Sequence, residues 1–161
     1  VHPGRYLVLV GGATAAVEIA LEVGGTDTLV DSLFLADVHP AVVAALTTAD
    51  SGFTVDGDAL GVVETSASAT AILAADTGVK AAAVTLLAIR LADGLGGKAY
   101  CLFSGLVADV EAAVESSVAG IDDRDKLINA TVISQLHEEM VDNLAAELRF
   151  NRQLGRLDGT S

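Results

Sequence analysis

Residues 94–115 read GLGGKAYCLFSGLVADVEAAVE, and residues 1–22 read VHPGRYLVLVGGATAAVEIALE. Laid over one another without a gap, Gly97 meets Gly4, Leu102 meets Leu9, Gly105 meets Gly12 and Ala108 meets Ala15. Val110-Glu111 falls on Val17-Glu18, Ala113 and Glu115 fall on Ala20 and Glu22, and Lys98 falls on Arg5. The match resumes after a short insertion, where LVDSLFLADVHPAVVAAL (Leu29–Leu46) lies over LINATVISQLHEEMVDNL (Leu127–Leu144). There His39 meets His137, Val43 meets Val141 and Leu46 meets Leu144. A repeat of this period means two copies of one small domain, because solenoid units are shorter. The second repeat begins near Ala59, and the first has no counterpart of Ala59–Asp93, so the sequence enters its first domain part-way. The expected organisation is the later half of a first domain over 1–50, a linker over 51–58, a complete second domain over 59–150 and a polar tail over 151–161.

Hydrophobic patterning assigns elements to the complete repeat. Ala59–Thr65 (ALGVVET) reads as a buried strand. A helix follows to about Ala82, with Ser66 or Ser68 able to cap its free N–H groups and with Ile72, Ala75, Val79 and Ala82 at helical spacing. Val84–Leu91 and Lys98–Ser104 read as strands joined into a hairpin by the glycine-rich loop Ala92–Gly97. Val107–Ala119 is a second helix, Ile121–Asp125 an acidic loop, Leu127–Ser134 a fourth strand and His137–Leu148 a last helix. In the partial repeat the same logic gives strands at Arg5–Val10 and Leu29–Leu35, a helix at Ala13–Val23, and a short helix at Pro40–Leu46 opened by proline. The connector Thr47–Asp58 has the Gly, Ser and Asp content of a linker.

Composition narrows the function classes. The 161 residues carry 22 acidic against 9 basic side chains, a net charge of −13 that repels phosphate backbones and anionic bilayers. Neither nucleic acid nor membrane is therefore expected as a partner. Hydrophobic residues reach 52% with a mean hydropathy of +0.54, yet the richest run, Ala81–Leu91, is too short to span a bilayer. Such a chain either buries surface against copies of itself or is a well-packed α/β domain. The single cysteine, Cys101, excludes an internal disulfide and a cysteine-built metal site, and its apolar setting AYCLFSG reads as a buried structural thiol.

The run ALGVVETSASATAILAADTGVKAAAVTLLAIRL, followed by a glycine-rich loop and GKAYCLFSGLVADVEAAVESSVAG, closely resembles the bacterial microcompartment shell domain. The family pattern is a G-x-[IV]-E-T strand, a helix with A-A-D-x-x-[VL]-K-A-A, a glycine-rich loop, an apolar strand ending in Gly, and a helix reading D-V-x-A-A-V-E. Here these are Gly61–Thr65, Ala74–Ala82, Gly94–Gly97, Gly105 and Asp109–Glu115. The resemblance implies an α/β (α+β) fold: tandem shell domains, each a four-stranded, mainly antiparallel sheet flanked by helices. Two such domains in one chain resemble the trimer-forming class, in which three chains make a six-domain disc with a central pore. The implied partners are the chain itself as a homotrimer and hexameric and pentameric shell proteins; the absent front of the first domain departs from that class, and a polypeptide supplying it is one alternative. The implied location is a shell in the bacterial cytoplasm.

The resemblance also places candidate sites. The pore loops would be Val1, His2, Pro3, Gly4 and Arg5 from the first repeat, and Asp93, Gly94, Leu95, Gly96, Gly97 and Lys98 from the second. Six loops crowding an axis need little side chain, and backbone N–H groups with Arg5 and Lys98 would favour anionic metabolites. A hairpin turn in which glycine serves geometry alone is the plain alternative. His2, three times on an axis, would offer imidazoles to a metal or anion; a chain terminus without a ligand is the simpler reading, and no metal is expected. Lys80 matches the family lysine at the disc edge, where its long stem lies against the neighbouring disc; a solvent-facing helix lysine is the alternative. His39 and His137 fall on an Arg-Pro-x-His segment at that edge, although LADVHPAV and SQLHEEM both lack the arginine, and either His also fits a helix start.

No catalytic set emerges. GLGGK lacks P-loop spacing, and Ala99 stands where a magnesium-binding Ser or Thr belongs. His137, Glu138 and Glu139 are adjacent and cannot share one helix face. Ser104-Gly105 has no nucleophile-elbow context, and Asp122–Asp125 lacks calcium-loop spacing. The expected function is a non-enzymatic, cofactor-free shell protein whose trimeric discs tile a facet and pass small metabolites. The competing reading is a small-ligand binding or sensor module of ferredoxin-like α/β topology.

Overall fold

The computed structural model describes residues 6–47, 55, 57–92, 95–137 and 139–143. The second repeat forms one sheet of four strands, β1 (Ala59–Thr65), β2 (Thr85–Leu91), β3 (Ala99–Gly105) and β4 (Leu127–Ser134), in the order β2-β3-β1-β4 with every neighbouring pair antiparallel. The fold class expected from the sequence is the one observed. β1 and β3 are central, and their register runs from Ala59 opposite Gly105 to Thr65 opposite Ala99. The Thr85–Leu91/Ala99–Gly105 hairpin forms as expected, each strand starting one residue later than the pattern indicates.

Alternation along β1 divides the core. Ala59, Gly61 and Val63 face the helices α3 (Ser68–Ala81) and α4 (Val107–Ala119), which pack with Phe103, Cys101, Ile89, Ile72 and Val110. Leu60 and Val62 point to the opposite face, with Leu87, Leu102, Tyr100, Ile133 and Met140. Burying a side chain such as the wholly enclosed Phe103 stabilises the fold by about 1.5–3 kcal/mol. The helices approach closely because two positions carry no side chain. A Cβ on Gly61 would lie 2.7 Å from Val114 Cγ2, and one on Gly78 would lie 2.6 Å from Phe103 Cζ.

One expected helix cap is corrected. Neither Ser66 nor Ser68 caps α3; the cap position is Ala67, whose extended backbone (φ −141°, ψ 147°) begins the helix without a side-chain bond. The serines stand one residue to either side, so the turn is closed instead by the Thr65 hydroxyl, which donates to the Ala67 carbonyl at 2.9 Å.

The first repeat behaves differently. Its helices form at α1 (Thr14–Gly24) and α2 (Pro40–Thr47), close to expectation. Its strands do not: Tyr6–Val10 and Leu29–Leu35 belong to no sheet, which corrects the expectation of strands at Arg5–Val10 and Leu29–Leu35. A strand needs a hydrogen-bonding neighbour. β3, the counterpart of Tyr6–Gly12, has β1 and β2 on its two sides, whereas no described strand lies beside the first-repeat segment. The contrast extends to burial, since α1 has no buried residue while α4 buries Val110, Ala113, Val114 and Ser117. From Asp31 onward, however, the first repeat is anchored. Val42 is wholly buried in the core of the second repeat, and Leu33, Leu35, Val38, Ala45 and Leu46 pack around it. Of the expected last helix His137–Leu148, residues 139–143 are helical and 144–148 lie outside the described residues.

Candidate functional site

Two regions carry the candidate residues: the junction between the repeats and the glycine-rich loop. At the junction, the tail of the first repeat, residues 31–47, lies across the body of the second. The order of events along the tail follows from its sequence. Extended residues lead to His39, and Pro40 then opens α2 with a φ already fixed for a helix. His39 starts the helix: its Nδ1 accepts the Ala41 N–H at 3.2 Å and its carbonyl accepts the Val42 N–H at 2.9 Å. His137 does the same in the second repeat, accepting the Glu139 N–H at 3.3 Å on Nδ1 and the Met140 N–H at 2.9 Å on its carbonyl. Both histidines therefore have the helix-start role that the sequence left open, and their shared geometry supports the register of the repeat.

Two carboxylates fasten the tail. Asp76, on α3, is buried, and it accepts the backbone N–H of His39 at 2.8 Å. Lys80, one helical turn on, closes an ion pair with the same carboxylate at 2.6 Å and also donates to the Asp37 carbonyl. The Lys80 side chain is 39% exposed, so the pair is only partly shielded from solvent. Asp31 meets the body near the start of α3. Its carboxylate accepts from Thr70 Oγ1 at 2.9 Å and pairs with Lys126 Nζ at 2.7 Å. The hydrogen bond to Asp31 holds the Lys126 ammonium above its ordinary pKa, against the opposing effect of burial and with the charges of Asp31 and Asp123 adding to it.

The sequence reading brought Lys80 and His39 to one site, and the structure joins them through Asp76, with His137 on the other tail. It missed Asp31, Thr70, Asp76 and Lys126. A signal for Asp76 was present: a carboxylate inside the apolar run AILAADTGV must find hydrogen-bond partners once buried. Asp31 and Lys126 left no such trace, because they stand 95 positions apart.

In the loop, Leu95–Gly97 form a turn in which Gly96 (φ 64°) and Gly97 (φ 95°) adopt left-handed backbone that side-chain-bearing residues avoid. The Lys98 N–H donates to the Leu95 carbonyl at 3.2 Å and the Ala92 N–H to the Lys98 carbonyl at 3.0 Å, which close the hairpin. Lys98 faces Glu64 on β1 at 3.4 Å, so the loop's cation stands beside a carboxylate. Val1, His2, Pro3, Gly4, Arg5, Asp93 and Gly94 lie outside the described residues. Among the described residues no three His, Cys, Asp or Glu side chains gather in a way that would hold a metal ion. Burial pushes the Cys101 thiol up to about 12.

This sheet, with its helices and hairpin loop, has close counterparts. A solved microcompartment protein from Desulfitobacterium hafniense superposes with a TM-score of 0.71 at 34% identity, over 80% of this chain and 72% of that one. The BMC domain model matches residues 59–136. The bacterial microcompartment shell protein PduT of Citrobacter freundii is 39% identical over 142 residues, which cover 86% of this chain and 76% of that protein. The chain belongs to the bacterial microcompartment shell family. A second shell protein of Citrobacter freundii, PduK, is 40% identical over 76 residues, 47% of this chain and 48% of its own length. The role of this shell chain is structural, as a component of a microcompartment shell. Among the described residues, no helix is long and apolar enough to cross a membrane.

Proposed function

We propose that this shell chain forms trimers in which six repeats alternate around an axis, and that these discs tile a shell facet around a central pore. The observation that carries the proposal is the junction described above, where the tail of one repeat docks on the body of the next through Asp76, Lys80, Asp31 and Val42. A head-to-tail contact of this kind closes into a ring when it is repeated with a fixed rotation. Three two-repeat chains supply six positions, with junctions alternately within and between chains. The apolar first-repeat surface agrees with burial in an assembly: Tyr6 is 95% exposed and Val8 78%, where β3 at the counterpart positions Ala99 and Cys101 is wholly buried.

In such a ring the loops Val1–Arg5 and Asp93–Lys98 line the pore, and an open Gly96, which nothing crowds, suits close approach to an axis. Lys80, His39 and His137 would stand towards the disc edge, with Lys80 giving its exposed stem to the neighbouring disc. The partners would then be other copies of the chain, and hexameric and pentameric shell proteins beside it. No chemical step is assigned; selectivity would arise from pore width and from lining groups such as Lys98 and Glu64. The division into 1–50, a 51–58 linker, 59–150 and a polar 151–161 tail belongs to the same proposal. Native mass spectrometry with electron microscopy tests it. Trimers that grow into flat sheets are expected, and a chain that stays monomeric and forms no sheets defeats the reading.

A further inference from the structure

The contacts at the repeat junction are of two kinds. Asp76 and Lys80 bind main-chain groups of the tail, the His39 N–H and the Asp37 carbonyl. Main-chain groups are present in every tail, and the second repeat has the same helix start at His137, although Gln135, the counterpart of Asp37, takes a left-handed φ. Thr70 and Lys126 instead bind a side chain, the Asp31 carboxylate, one to each oxygen. That side chain is only 10% exposed and the Lys126 side chain 33%, so the pair is partly shielded from water. The repeat register sets Asn129 opposite Asp31 in the second tail. An amide at that place carries no charge and would leave the Lys126 ammonium with only the more distant Asp123 carboxylate, at 4.0 Å, as its anion.

We propose that Thr70 and Lys126 form a selectivity site for a carboxylate-bearing tail, so that the body of the second repeat accepts a first-repeat tail and rejects a second-repeat one. The main-chain contact of Asp76 with a helix-start N–H supplies docking open to both tails, and Asp31 supplies the choice. In an alternating ring, a consequence that rests on the trimer proposed above, this site keeps second repeats from closing on one another.

Hydrogen exchange of backbone amides in 31–47, measured on the whole chain, tests the site. Asp31→Asn installs the residue of the second tail and is expected to speed exchange there about tenfold, the scale of a lost charge-assisted hydrogen bond. Asp31→Asn combined with Lys126→Gln leaves no cation facing the amide, only the solvent-exposed Asp123 carboxylate nearby, and is expected to return exchange to within about threefold of the unmodified chain. Exchange unchanged in Asp31→Asn, or a double variant looser than the single one, overturns the proposal. Native mass spectrometry of the same samples reads the ring separately. An unmodified chain that shows this exchange pattern and stays monomeric removes the trimer and leaves the selectivity site standing.

Discussion

The chain contains the same half domain twice, and only one of the two finds a sheet. Ala99–Gly105 lies between two strands and is almost entirely buried; its counterpart Tyr6–Gly12 pairs with none and is exposed. α4 buries one face against α3 and β1, while α1, with the same Val-Glu and Ala spacing, buries nothing. The tails diverge as well. Leu136 after β4 donates its N–H to the Asp58 carbonyl at 2.7 Å, and Gln135 takes a left-handed φ of 68°, so Met140 folds back on its own sheet. The first tail has no left-handed residue at Asp37 and instead sends Val42 into the core of the other repeat. Pattern therefore decides what a segment can become, and the available neighbour decides whether it does.

The largest test of that contrast is chemical. Cys101 and Val8 occupy equivalent positions, one wholly buried with its thiol pushed up to about 12, the other 78% exposed. A Val8→Cys chain should react with a thiol reagent at least about a hundredfold faster at its new thiol than at Cys101, because reactivity needs an accessible thiolate. Equal rates in the free chain would mean that Tyr6–Val10 is covered after all. Addition of other shell proteins sharpens the comparison: protection of the introduced thiol alone would report that the first repeat has found its neighbours.

Next in size is the anchor of the first tail. Val42→Ala opens a cavity in the core of the second repeat and should cost about 2 kcal/mol in urea unfolding. Met140→Ala, at the equivalent position but only partly buried, should cost clearly less. A reversal of that order would show that the second tail, not the first, is the structural one.

How much of this was legible follows from what a sequence encodes. The strands of the second repeat, with α3 and α4, are written in local periodicity, and their assembly into one four-stranded sheet was legible through the resemblance carried by motifs such as GVVET and AADTGVKAA. The strands at Arg5–Val10 and Leu29–Leu35 read equally well and were not formed, because periodicity records an apolar face and says nothing of the hydrogen-bonding neighbour. Lys80, His39 and His137 were visible through resemblance. Asp31 and Lys126 were not, because an ion pair across 95 positions is a property of packing. Thr65 illustrates the same limit at short range: its hydroxyl closes the turn that two nearby serines were better placed, on pattern, to cap.

A pH titration separates the tails by charge. Lys126 has a folded pKa raised above its ordinary 10.5, chiefly by the hydrogen bond to Asp31. A raised pKa in the folded state means that its stabilisation is complete below the unfolded value and is lost as pH climbs through the folded one. Exchange in 31–47 should therefore loosen above about pH 10.5, in the alkaline range where Lys126 deprotonates, while the second tail, which has Asn129 at that position, follows only the general trend. In Lys126→Gln the alkaline step in the first tail should vanish.

The smallest expected effect bears on what the tails share. His39→Ala and His137→Ala each remove an Nδ1 that accepts the N–H two residues on, at 3.2 and 3.3 Å. Loss of such a cap costs about 0.5–2 kcal/mol. The bond from the His39 backbone to Asp76 survives the substitution, since it uses the main chain. The two variants should then be destabilised to a similar degree by urea unfolding, and docking of the first tail should persist in His39→Ala. A much larger loss for His39 would mean that its imidazole, and not only its backbone, holds the junction. The two repeats would then differ at the one place where their geometry is most alike, and the selection of tails would no longer rest on Asp31 alone.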